Sequence, residues 1–182
     1  MNLYRTHNCG ALREEHVGQT VKLSGWVDTI RDHGGVTFLD LRDQYGITQI
    51  VLHDEDSLKQ ISKESVITVS GIVKKRNAET INPKIETGTV EVHTETIIIQ
   101  SKAVRILPFE ISESKKTREE VRLKNRFLDL RNPAVRDNIL LRAKIISYIR
   151  VKMQELGFTE FQTPILTSSS PEGARDYLVP SR

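Results

Sequence analysis

The stretch Thr20–His53, TVKLSGWVDTIRDHGGVTFLDLRDQYGITQIVLH, decides the fold class by its alternation. Val21, Leu23 and Val27 recur at two- and four-residue steps, the period at which an extended chain returns side chains to one face. This predicts a first strand from Thr20, and Gly25 within it predicts a bulge or tight bend of the kind a small barrel needs to close. Gly34-Gly35 supplies a turn into a second strand, Val36 to Arg42, and Gly46 a turn into a third, Ile47 to His53. The three strands read as a meander.

Working outward, Asp54 to Ser62 carries an N-cap candidate followed by Leu58 and Ile61, which predicts a short helix. Val66 to Val73 and Thr89 to Gln100 are rich in valine, isoleucine and threonine and read as two further strands, joined by the polar loop Lys74 to Gly88. Three strands, a helix and two strands is the order of the five-stranded OB barrel, whose strand face and connecting loops bind oligonucleotides. An SH3-like barrel is the alternative; the intervening helix favours the OB form.

The remainder is helical in pattern. Val104, Ile106, Leu107 and Phe109 need cover, so Ser101 to Lys116 reads as an ordered linker. Thr117, with Glu120 three residues on, predicts a capping box, and RFLDLR follows at Arg126 to Arg131. Asn132-Pro133 reads as an N-cap and first helical residue, and Gly157 as a C-terminal cap, with one long helix between them. Ile139, Ala143, Ile146, Ile149, Met153 and Leu156 define an expected buried face. Arg136, Arg142, Arg150 and Lys152 read as solvated helix surface rather than an RNA-binding stripe. Phe158 to Pro164 predicts a strand. In Ser170–Arg182, SPEGARDYLVPSR, Pro171-Glu172-Gly173 is a loop and Tyr177, Leu178 and Val179 a short strand. By composition alone this segment is a surface turn.

At 182 residues the chain can hold one large or two small domains, and the change from strand to helix pattern favours two. A net charge of +3 permits a nucleic-acid partner without requiring one. Cys9 is the single cysteine, which excludes an internal disulfide and a multi-cysteine zinc site, and no metal site is expected. Asn2 to Arg13 lacks the apolar core of a signal peptide, and no run approaches the roughly 18 apolar residues of a membrane span. A soluble cytoplasmic protein with no membrane partner is expected.

Strand parity puts Leu39 and Leu41 on the core side and turns Phe38 and Asp40 outward. An exposed Phe38 flanked by Arg31, Asp32 and Arg42 suits base stacking beside a phosphate path. A phenylalanine packed under a loop fits the residues equally well. Gln49 offers both donor and acceptor to a base edge, or is an ordinary edge-strand glutamine.

SPEGARDYLVPSR, together with RFLDLR and the helix-to-strand segment ending at Pro164, is similar nearly letter for letter to bacterial aspartyl-tRNA synthetases of class II. The resemblance extends over essentially the whole chain. It implies an anticodon-binding OB domain over 1–104, a linker over 105–132, and the start of an antiparallel α/β catalytic domain over 133–182. The implied reaction is ATP-dependent esterification of L-aspartate to tRNA(Asp), in a homodimer whose interface includes Pro164. Arg31, Phe38, Gln49, Arg76 and Glu91 match the family's anticodon surface. Glu172 matches a lid loop over the substrate, where its carboxylate suits the aspartate ammonium.

ATP and Mg²⁺ are the implied cofactors. The arginine motifs that would clamp ATP are missing from these residues, so no catalytic residue is expected here, and this N-terminal portion by itself is expected to form no adenylate. Two departures bear on tRNA choice. His33 stands where strictly selective relatives tend to carry leucine, and Glu79 where many carry lysine. Histidine can donate or accept and so tolerates either last anticodon base, which implies charging of tRNA(Asn) as well; an exposed turn histidine is the plain reading. A freestanding OB module for single-stranded nucleic acid and a lysyl- or asparaginyl-tRNA synthetase relative remain as rival readings.

Overall fold

The computed structural model describes residues 2–53, 60–103, 106–164 and 180. The chain divides into two compact units, Met1–Glu110 and Ile111–Arg182.

The first unit is a closed barrel of β1 (Thr20–Asp32), β2 (Thr37–Arg42), β3 (Ile47–Leu52), β4 (Val66–Lys75) and β5 (Val90–Ser101), in the order β1-β2-β3-β5-β4. Closure uses one parallel strand pairing, between β3 and β5, with Ile50 opposite Val92 and Val51 opposite His93. This is the OB arrangement. The alternation that predicted the strands also fills the interior: Val21, Leu23, Val27, Leu39, Leu41, Ile50, Ile67, Val69, Val73, Val90 and Val92 are all buried. Each such side chain is worth about 1.5–3 kcal/mol when removed from water.

Glycine acts slightly differently from the expectation. The β1–β2 register shifts between Val27 and Thr29, downstream of Gly25, whose own role is close approach: a Cβ there would lie 2.4 Å from the Arg42 carbonyl oxygen. Gly34 and Gly35 adopt φ of 68° and 101° in the β1–β2 turn, as the sequence implied. The Asp54–Ser62 helix falls mainly on residues 54–59, outside the described residues. Residues before β1 contribute more than their sequence suggested. Cys9 and Leu12 join the core, the Cys9 amide donates to Asp43 Oδ2 at 2.9 Å, and Thr48 Oγ1 donates to the Cys9 carbonyl at 2.7 Å. Burial, and then the Asp43 charge, push the Cys9 thiol far up, so the residue is a packing group rather than a nucleophile.

The second unit contains a 3₁₀ turn (Ile111–Lys116), α1 (Glu119–Lys124), α2 (Arg126–Asp129) and α3 (Pro133–Glu155). The expected capping box at Thr117 does not form. The Thr117 amide instead closes the preceding turn on the Ser114 carbonyl, and α1 starts after Arg118. RFLDLR has a structural role: Asp129, fully buried, receives Arg122 Nε and Nη2 at 3.1 and 3.2 Å and also pairs with Arg126.

The α3 caps agree with the sequence. Asn132 accepts from the Ala134 amide at 3.0 Å, and its own amide donates to the Ile111 and Ser112 carbonyls. At the other end Gly157 has φ of 89°, with Gly157 N–H to Gln154 O and Phe158 N–H to Met153 O, the paired bonds of a Schellman motif.

Two further expectations fail in this unit. The predicted buried face of α3 is open, with Ile139 42%, Ile149 52% and Leu156 62% exposed, and Val135 is the buried residue of the helix. Periodicity marks a face that wants cover; it does not supply the covering surface, and none lies against it among the described residues. Phe158 to Pro164 is likewise irregular rather than a strand, because a strand needs a ladder partner and the described residues offer none. No described helix is long and apolar enough to cross a membrane.

Candidate nucleic-acid interface

The outward faces of β1, β2, β3 and β5 and the loop after β4 enclose a cleft of about 500 Å³. Arg31, Phe38, Gln49, Arg76 and Glu91, which lie far apart in sequence, all line it. Register explains the convergence. Arg31 sits opposite Phe38, and Asp40 opposite Gln49, so three strands bring these side chains to one face. Glu91 arrives on β5, across from Lys74 at the end of β4, just before the loop that holds Arg76.

The polar groups are linked. Arg31 Nη2 donates to Asp40 Oδ1 at 2.9 Å and to Gln49 Oε1 at 3.4 Å, and Gln49 Nε2 donates to Glu91 Oε2 at 3.1 Å. Gln49 is therefore held in one amide orientation rather than sampling solvent as an edge residue would. Desolvation pushes the Asp40 carboxyl above its ordinary range, opposed by the Arg31 charge.

Arg76 is the exception to this saturation. Its side chain is only 8% exposed, yet Nε and Nη1 have no hydrogen-bond partner, and the Glu91 carboxylate lies 3.7 Å from Nε. A buried guanidinium with unmet donors is costly, and an incoming acceptor such as a phosphate or base carbonyl would relieve that cost.

Phe38 is half-buried at the cleft, its ring centroid 5.5 Å from that of His33 at an interplanar angle of 79°. His33 also lines the cleft, together with Lys75, Asn77, Thr80, Ile81 and Asn82. Sequence reasoning had not singled out Asn77, Ile81 or Asn82; the signal available was their place in a long polar loop beside Arg76. Glu79 occupies the exposed turn Ala78–Thr80 and does not line the cleft.

Arg42 is the clearest correction. Expected beside Phe38 on a phosphate path, it is instead buried, donating through Nε to Asp28 at 2.7 Å, paired with Glu64, and lying 5.9 Å from the Trp26 ring. It lies at the opposite end of β2, where four residues of strand carry it away from the cleft. Pro164 is exposed beyond α3, and Glu172 lies outside the described residues. Among the described residues no cluster of histidine, cysteine, aspartate and glutamate is placed to hold a metal ion.

Residues 21–99 match the family described as OB-fold nucleic acid binding domain, and residues 118–182 the family tRNA synthetases class II (D, K and N). The whole chain is 56% identical to an aspartate–tRNA(Asp/Asn) ligase of Ehrlichia ruminantium (strain Welgevonden), of which it covers 32%. It is also 56% identical to the ligase of the same name from Rickettsia prowazekii (strain Madrid E), covering 31%. The crystal structure of asparaginyl-tRNA synthetase from Pyrococcus horikoshii complexed with asparaginyl-adenylate superposes with a TM-score of 0.74 at 28% identity, over 92% of this chain and 38% of that one. The chain thus spans about a third of the length of the curated relatives it matches. Barrel topology and the two adjoining sequence matches together make this chain similar, over about a third of their length, to class II aspartate–tRNA ligases.

Proposed function

We propose that this chain is the anticodon-reading part and the opening of the synthetase domain of an aspartate–tRNA ligase, a homodimer that joins L-aspartate to tRNA at the expense of ATP. The observation that carries the anticodon assignment is Arg76: a nearly buried guanidinium with two unmet donors, in a cleft already lined by an aromatic ring and an oriented glutamine. That combination suits an unstacked base and its phosphate. Phe38 stacks a base, Gln49 reads a base edge, and Arg31 and Glu91 hold Gln49 in register. Phe38→Ala is expected to weaken binding of an anticodon stem-loop by about 1–3 kcal/mol, read by titration, while the barrel stays folded. Unchanged affinity would make Phe38 a packing residue. Affinity should also fall as salt rises.

The reading extends to tRNA choice. The ligases from Ehrlichia and Rickettsia carry both tRNA(Asp) and tRNA(Asn) in their names, and in this chain His33 stands at the cleft beside Phe38. The full enzyme is therefore expected to aspartylate both tRNAs. The sequence puts Glu79 beside His33 in this role, but its place outside the cleft lining leaves His33 as the residue that supports it. Aspartylation of the two purified tRNAs is the test: comparable kcat/KM values support the proposal, and a preference for tRNA(Asp) on the order of a hundredfold, about 2.7 kcal/mol, contradicts it.

Glu172 is assigned to the substrate ammonium and Pro164 to the dimer interface. The open apolar surface of α3 is consistent with cover by the rest of the synthetase domain and a second subunit. ATP and Mg²⁺ are used by that domain, and none of the described residues is assigned to them. Glu172→Gln in the full enzyme keeps shape and removes the charge, so it should raise KM for aspartate or lower the adenylation rate without changing stem-loop affinity. Wild-type values for both kinetic constants would remove Glu172 from the site.

A further inference from the structure

Glu91 has a partner on each carboxylate oxygen. Oε2 accepts from Gln49, and Oε1 lies 2.9 Å from Nε2 of His93, a residue that neither the motif nor the cleft lining includes. Positions 91 and 93 share one face of β5, so the contact follows from strand parity. The His93 backbone is itself fixed: Val51 and Ile72 flank it, and Gly71 packs so closely that a Cβ there would lie 2.1 Å from the His93 carbonyl oxygen. The ring has a second neighbour in His53, 5.8 Å away between centroids and tilted by 41°.

This arrangement forms a chain of contacts from His93 through Glu91 and Gln49 to Arg31. A glutamate carboxylate rotates broadly about its terminal torsion. Held at Oε2 alone, which already lies 3.7 Å from Arg76 Nε, it could rotate to close a direct hydrogen bond to that guanidinium, whose Nε and Nη1 have none. Gln49 would then lose its acceptor and with it the reason to keep its amide in one orientation. We propose that His93 is a positioning residue of the anticodon cleft: by donating to Glu91 Oε1 it locks the carboxylate, the carboxylate locks Gln49, and the fixed Gln49 amide discriminates the base it meets. The inference rests on the proposed role of the cleft.

The test uses the 182-residue chain and an RNA stem-loop bearing the aspartate anticodon. His93→Leu keeps an apolar body in the strand but cannot donate, whereas His93→Gln can still donate to Glu91. Loss of one hydrogen bond to a charged group corresponds to about a tenfold loss of affinity for the leucine variant. The glutamine variant should stay within about twofold of wild type, and in a Glu91→Gln background His93→Leu should have no further effect.

A leucine variant that binds like wild type, a glutamine variant that falls as far as leucine, or an undiminished loss in the Glu91→Gln background would each overturn the proposal. Should His93→Leu melt early, His93→Thr, suited to a strand but too short to reach Glu91, takes its place under the same criteria. Phe38→Ala separates the two levels. If it weakens binding while His93→Leu does not, only the positioning role fails; if it too is silent, the reading of the cleft fails and this inference with it.

Discussion

Replacing Arg42 by methionine is expected to destabilise the barrel by about 3–5 kcal/mol, the usual cost of removing one partner from a buried charge pair. The loss arises from what remains. Glu64 is 6% exposed, and without the guanidinium its carboxylate stays in the interior lacking that cation; Asp28, at 34% exposed, can rehydrate. Methionine fills the stem volume, so a packing defect contributes little. Against a typical domain stability of about 5–15 kcal/mol, the shift would be plain in urea unfolding of the barrel. Adding Glu64→Gln should recover much of the loss by removing a buried charge that has lost this cation, whereas two additive losses would show that the pair matters for shape and not for charge.

The second large effect concerns Asp129→Asn, expected to cost the helical unit about 3 kcal/mol because charge-assisted bonds from two arginines converge on this one carboxylate. Its pH dependence has a definite sign. Burial acts to raise the Asp129 carboxyl, but the Arg122 hydrogen bonds and the Arg122 and Arg126 charges outweigh it and hold the group below its ordinary range. A group depressed in the folded state contributes stability that is fully present above the unfolded carboxylate value of about 3.9 and is lost as pH falls through the folded value. Hydrogen exchange across residues 119–132 should therefore show protection that declines in wild type below about pH 4. In Asp129→Asn, protection should be low already at neutral pH and should lack that step; equal protection in the two proteins would contradict the assignment.

Much of the barrel was legible because its signals are local. Alternation placed Leu39 and Leu41 inside, and Gly34-Gly35 marked a turn that only positive φ allows. Asn132-Pro133 and Gly157 gave both ends of α3 for the same reason: cap chemistry is read within a few residues. What depended on distant partners was not legible. Arg42 and Phe38 sit four positions apart on one strand, and nothing in TFLDLR says that one faces a cleft while Glu64, twenty-two residues on, withdraws the other into the interior. The apolar stripe of α3 and the failed strand at Phe158–Pro164 share a cause, since cover and ladder partners belong to surfaces that no single segment encodes. Thr117 shows the limit of a motif: the capping-box letters are present, but its amide closes the preceding turn.

The site divides in the same way. Residue types suited to an anticodon surface could be picked out one at a time, through the family resemblance. That they converge, that Gln49 is fixed from both sides, and that Arg76 is buried with unmet donors are properties of register and burial. His93 could have been suspected from its two-residue spacing to Glu91; its contact becomes meaningful only once Glu91 is seen to hold Gln49.

If the cleft between the strand face and the loop after β4 receives the anticodon, its residues must respond to that ligand and the rest of the barrel must not. Following the backbone amide resonances of the isotopically labelled chain during titration with a stem-loop carrying the aspartate anticodon tests it most directly. Saturable shifts are expected to cluster at Arg31, Phe38, Gln49, Arg76, Asn82 and Glu91, with little change around Arg42 and Glu64. Shifts confined to another face of the barrel, or an equal response to a stem-loop of unrelated anticodon, would contradict it.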